Sequence, residues 1–204
     1  MANYVVGISG GSGAPYTRRV IEGLVEAGHD AKIVMTGAGR RVFDVELGIS
    51  LSGDPASDTE TLMENFDLDS GPGSIELFDN KDVAATIASG SYDVAGMAVV
   101  PCSMGSLARI ATGVSSNLLE RAADVALKER RRLILVPRET PLGLIQLRNM
   151  TTVTEAGAIV MPAMPGFYHH PESIQDLVDM IAGRVLHTLG VESNMLQRWQ
   201  GVED

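Results

Sequence analysis

Gly7-Ile8-Ser9-Gly10-Gly11-Ser12-Gly13-Ala14 stands where a strand-like apolar run gives way to a segment with helical spacing. Tyr4 to Ser9 reads as a first strand, and Tyr16 to Ala27 as a helix with Val20, Leu24 and Ala27 on one face. Glycines at such a junction let backbone N–H groups approach an anion, and a helix N-terminus adds roughly half a positive charge. Three familiar motifs fail here. A dinucleotide fingerprint begun at Gly11 or Gly13 meets Tyr16 or Arg18 where its third glycine belongs, and Thr36, not an acid, ends the second strand. The phosphate-loop lysine is absent, and Gly10 to Ala14 lacks the last glycine of a nucleophile elbow. What survives is a turn able to hold one phosphate, which favours a mononucleotide over a ligand-free tight turn.

Outward from this junction the pattern repeats. Ala31 to Thr36, Gly96 to Val100, Arg132 to Val136 and Ala158 to Met161 are further strands, continuous in apolar character as in a sheet covered on both faces. Helices are expected at 40–47, 81–88, 104–112, 117–129, 144–156 and 173–189, the last with Ser173 as N-cap. Residues 50–74, with Gly53-Asp54-Pro55 and Gly71-Pro72-Gly73, read as a surface loop carrying at most one short helix. Strands alternating with helices predict one α/β domain over 1–204, a doubly wound parallel sheet. Pro101-Cys102-Ser103-Met104-Gly105-Ser106 is a second strand-to-helix junction, and two such turns on neighbouring strands frame a ligand crevice.

Composition narrows the function. Sixteen Lys and Arg against 26 Asp and Glu leave a formal charge of −10, contrary to the basic face a nucleic-acid protein needs. A locally positive pocket for a phosphorylated small molecule remains compatible with that balance. Cys102 is the single cysteine, so neither an internal disulfide nor a multi-cysteine zinc site can form. No base in the sequence is paired with it, and it reads as a small buried hydrophobe. No apolar run approaches a membrane span of about 18 residues, and the N-terminus enters a strand with no leader-like segment. A cytoplasmic protein is expected.

Asn117-Leu118-Leu119-Glu120-Arg121-Ala122-Ala123-Asp124-Val125-Ala126-Leu127-Lys128-Glu129-Arg130-Arg131 leads into Leu133-Ile134-Leu135-Val136-Pro137-Arg138-Glu139-Thr140-Pro141. With the Gly10–Ala14 turn, Pro101-Cys102-Ser103 and Pro165-Gly166-Phe167-Tyr168-His169, this resembles the flavin prenyltransferase family over nearly the whole chain. The resemblance implies a flavodoxin-like, Rossmann-like fold assembled as a homododecamer, with flavin sites between subunits. It implies metal-independent transfer of a dimethylallyl group from dimethylallyl monophosphate to N5 and C6 of reduced FMN. The prenylated FMN then serves a companion decarboxylase.

By position, the resemblance gives Gly10, Gly11, Ser12, Thr36, Ser103, Met104, Gly105, Ser106 and Arg138 to FMN. Lys128, Arg138, Glu139, Tyr168 and Arg184 would surround the dimethylallyl phosphate, and Ser12 and Glu46 would serve the later ring closure. The residue types suit the chemistry, because phosphate leaves well only where cations and donors meet its developing charge. Thr36 replaces a common serine and keeps the hydroxyl. The tail from about 190 to 204, with Trp199, is expected to pack on a neighbouring subunit.

Two rival readings share these turns. An FMN-dependent cysteine decarboxylase would carry a histidine after the second strand, and residues 36–80 contain none. A non-catalytic flavin carrier would not need Lys128, Glu139, Tyr168 and Arg184 together. The residues leave the diphosphate open as an alternative donor.

Overall fold

The computed structural model describes residues 1–68 and 71–196. Six parallel strands, β1 (Asn3–Ile8), β2 (Asp30–Met35), β3 (Ile75–Phe78), β4 (Gly96–Cys102), β5 (Arg132–Pro137) and β6 (Ile159–Val160), lie in the order β3-β2-β1-β4-β5-β6. The order reverses between β1 and β4, which are hydrogen-bonded neighbours in register from Tyr4–Gly96 to Gly7–Val99. That reversal opens a crevice at the carboxyl edge of the sheet. The two glycine and serine turns leave from these two strands.

Alternation within each strand builds the core. Val6, Ile8, Ile33, Val100, Ile134 and Val136 face one side, with α1 (Ala14–Glu26), α3 (Pro55–Phe66) and α7 (Ile174–Leu189). Val5, Met97, Val99, Leu133 and Leu135 face the other, with α4 (Met104–Ala111), α5 (Leu118–Lys128) and α6 (Leu144–Glu155). Every residue of β4 is buried, as a central strand covered on both faces requires. Ser173 caps α7 as expected, in a reciprocal capping box with Asp176.

Three expectations change. The segment 50–74 holds α3, twelve residues long, and the chain continues into β3 at the sheet edge. Its Gly53-Asp54-Pro55 is a helix start: Asp54 accepts from the Ser57 N–H at 2.9 Å, and Pro55 occupies the first turn. The helix expected at 81–88 is only a 3-10 turn at Thr86–Ala88. The helix expected at 40–47 starts three residues earlier, with Gly37, Ala38 and Gly39 as the first turn of α2 (Gly37–Leu47), capped by Thr36. Among the described residues, no helix is long and apolar enough to cross a membrane.

Candidate functional site

The tips of β1 and β4 are bound to each other before any ligand is considered. The Ser9 N–H and hydroxyl both donate to the Pro101 carbonyl at 3.1 Å, and Ser9 Oγ accepts from the Ser103 N–H at 2.7 Å. Thr17 donates its hydroxyl to the Val100 carbonyl. Ser9, just past β1, and Thr17, in the first turn of α1, are at most 1% exposed and carry no motif that marks them in the sequence; their fixed partners hold the crevice walls. Gly11 packs into the seam, where an added Cβ would stand 3.4 Å from Pro101 Cβ. At Gly10 the same atom would meet Ala38 Cβ at 2.6 Å, so α2 also closes on this turn.

The first helix end departs from the expected phosphate cradle. Glu46, in the last turn of α2, places Oε2 at 2.9 Å from the Gly13 N–H and 2.8 Å from the Ala14 N–H. A carboxylate thus holds the positive end of α1, where an anion is favoured. Glu46 comes there because α2 lies across the carboxyl edge, with only Gly39 and Phe43 buried. Its Oε1 has no hydrogen bond among the described residues. Burial first, and Glu46 second, push the nearby Tyr16 phenol above its usual range.

Gly10, Gly11 and Ser12 keep their N–H groups free of acceptors among the described residues, and Gly10 and Ser12 face solvent. Arg138, directly after β5, sends Nε to the Ser12 carbonyl at 3.3 Å. Thr36 turns its hydroxyl inward to the Gly39 N–H at 3.0 Å, as the N-cap of α2. Ser103 Oγ caps α4 through the Ser106 N–H at 3.3 Å and donates to Ser106 Oγ at 3.2 Å. Met104 is buried and Gly105 exposed. Free donors, small residues and an arginine on one crevice fit a flavin mononucleotide.

Glu139 is exposed and accepts from the Thr140 N–H at 3.0 Å. Tyr168, 42% exposed, meets the His169 ring edge-on in the loop after β6. These two stand with Arg138 on the carboxyl side of the sheet. Lys128 does not. It ends α5 on the amino side, paired with Glu129 and close to Gly90, and β5 separates it from Arg138 by roughly 20 Å. Arg184 is exposed on α7, six residues before the Gly190 cap at the amino edge. One chain therefore assembles Gly10, Gly11, Ser12, Glu46, Ser103 and Arg138, but not the full set expected around the dimethylallyl phosphate.

Cys102 is fully buried, and burial pushes its thiol up to about 12. No metal-binding group of acidic, histidine or cysteine side chains occurs among the described residues. The tail residues Gln197, Arg198 and Trp199 lie outside the described residues.

The Flavoprotein family profile matches residues 1–186. The flavin prenyltransferase UbiX of Synechocystis is 46% identical over 197 residues, covering 97% of this chain and 95% of the relative. A crystal structure of AnUbiX in complex with FMN and dimethylallyl pyrophosphate superposes with a TM-score of 0.86 at 37% identity, over 99% of each chain. A dodecameric FMN-dependent UbiX-like decarboxylase from Escherichia coli O157:H7 gives 0.83 at 37% identity, over 98% of this chain and 100% of the other.

Proposed function

The chain belongs to the flavin prenyltransferase family, and on that premise we propose that it transfers a dimethylallyl group from dimethylallyl monophosphate to N5 and C6 of reduced FMN. The single observation that carries the site is the convergence of three strand tips on one crevice. Arg138 after β5 and Glu46 of α2 both bind the turn after β1, and Ser9 bonds that turn to the one after β4.

Gly10, Gly11 and Ser12 present free N–H groups to the mononucleotide, and Thr36, Ser103, Met104, Gly105, Ser106 and Arg138 complete its setting. Bound reduced FMN supplies electron-rich N5 and C6. The protein has to ionise a phosphate ester without a metal, and cations with hydrogen-bond donors do this by meeting charge that grows on the departing oxygens. Arg138, Lys128, Arg184 and the Tyr168 hydroxyl take that role. Glu139, next to Arg138 in the chain, delivers a proton to the leaving phosphate. Glu46, whose Oε1 is not needed for the helix cap, accepts the C6 proton, with Ser12 beside it.

Lys128 and Arg184 stand away from the carboxyl edge of their own chain, so they reach the crevice of a neighbouring subunit. Exposed Leu144, Ile145 and Leu147 on α6, next to the crevice loops, supply an apolar surface for such an assembly, a homododecamer. The product passes to a prenylated-flavin-dependent decarboxylase in the cytoplasm.

The test is anaerobic incubation of the protein with reduced FMN and dimethylallyl monophosphate, then mass analysis of the extracted flavin. One added prenyl unit, lost in Glu139→Gln and Tyr168→Phe, is expected. Unchanged flavin with the monophosphate and product with the diphosphate would reassign the donor; unchanged flavin with both would overturn the transfer.

A further inference from the structure

Ser106 is 2% exposed, and its oxygen receives two donors. Ser103 Oγ donates to it across 3.2 Å and Arg109 Nη2 across 3.4 Å. A serine oxygen has two lone pairs, so both are engaged and the hydroxyl hydrogen must leave as a donor. No acceptor for it occurs among the described residues. Arg109 is itself held. Its Nε donates to Glu120 Oε1, and Glu120 is 1% exposed. The other carboxylate oxygen accepts from the Ser116 N–H at 3.0 Å and hydroxyl at 2.6 Å. Burial would raise the Glu120 carboxyl, but bonds from Ser116 and Arg109 outweigh it and hold it below the usual range. An ionised, fully bonded carboxylate thus fixes a guanidinium along the first turn of α4, with Nη1 3.5 Å from where a Gly105 Cβ would stand.

We propose that Arg109, anchored by Glu120, is a positioning residue for the flavin: by filling a lone pair of Ser106 Oγ it commits that hydroxyl to donate to an acceptor atom of bound FMN. This rests on the reading that the Ser103–Ser106 turn faces FMN. The resemblance that assigns this turn assigns no role to Arg109 or Glu120. A lysine cannot substitute, because a point charge does not span Glu120 and Ser106 as the planar fork does.

The experiment measures FMN affinity and the visible absorption band of bound oxidised FMN in the assembled protein. Ser106→Ala is expected to weaken binding about tenfold and to shift the band. Arg109→Met should weaken it about fivefold with a shift in the same direction, and Arg109→Lys should resemble Arg109→Met. The double variant Ser106→Ala/Arg109→Met should be no weaker than Ser106→Ala, since both remove one interaction. Ser116→Ala, which loosens only the outer side of Glu120, should lower thermal stability and leave the band in place. Additive losses in the double variant would overturn the proposal, as would an unshifted band in both Arg109 variants while Ser106→Ala shifts it. Should Arg109→Met not fold, Arg109→Lys and Glu120→Gln carry the same comparison. If Ser106→Ala changes neither affinity nor band, the turn does not face flavin, and that reading falls together with the role of Arg109.

Discussion

Two functions meet at Glu46, the cap on α1 and the proton acceptor proposed for ring closure. One oxygen serves Gly13 and Ala14, and the other is left for the proton transfer proposed above. Glu46→Gln separates them. The amide oxygen can still accept from the helix, so the loss of charge at the dipole should cost only about 0.5–1 kcal/mol. Turnover should fall about 100-fold, since no general base remains, while FMN binding persists. Equal turnover in the variant, measured with thermal midpoints alongside, would reduce Glu46 to a cap. Cys102 makes the opposite point. It reads from the sequence as a small buried hydrophobe, and a thiol pushed up to about 12 is protonated at neutral pH and out of reach. Alkylation of the folded protein with iodoacetamide at pH 8 should leave Cys102 unlabelled, and labelling should appear in denaturant. Rapid labelling of the native protein would contradict the burial.

At the scale of elements, what the sequence revealed depended on whether local spacing and tertiary environment agreed. The two ligand turns, the four central strand segments and the capped α7 were legible because apolar runs and glycine junctions mark them directly. Helix α3 was not, because its start looks like a loop: glycine, aspartate and proline serve equally as turn residues and as a capped first turn. Its key residue is also charged. Asp58 is 0% exposed, accepting from the Ser52 N–H at 2.7 Å, the Ser52 hydroxyl at 2.8 Å and the Gly53 N–H at 3.0 Å, with Arg40 at 3.3 Å. Sequence spacing gives no sign that an acid faces inward when its donors come from the preceding loop and another helix. Asp58→Asn turns an acceptor into a partial donor against those N–H groups. It should cost about 2 kcal/mol, or roughly 4–8 °C in thermal midpoint. A midpoint within one degree of the parent, read by circular dichroism, would show that the loop re-forms its bonds without the charge.

For the molecule as a whole, the described residues form one six-stranded sheet with its helices, and the proposed site draws on more than one chain. The sheet gathers the residues given to FMN because they all follow strand ends, which a doubly wound topology places on one edge. Lys128 precedes β5 and Arg184 lies far along α7, so the same topology sends them away from that edge. Residue order alone could not display this separation, since Lys128 and Arg138 are only ten positions apart and a buried strand lies between them. The proposed division of the site between subunits has a consequence that a site within one chain lacks. Lys128→Ala and Glu139→Gln should each be inactive as pure assemblies. When the two chains are unfolded together and reassembled at equal ratio, a crevice that takes Glu139 from one chain and Lys128 from another finds both intact in about a quarter of cases. Activity should therefore return to about a quarter of the parent level. Were both residues to act from the same chain, every crevice would keep one defect, and mixing would restore nothing. Ile145→Glu adds the complementary result: a charge on the exposed α6 surface should split the assembly, seen by light scattering, and remove turnover while each chain stays folded.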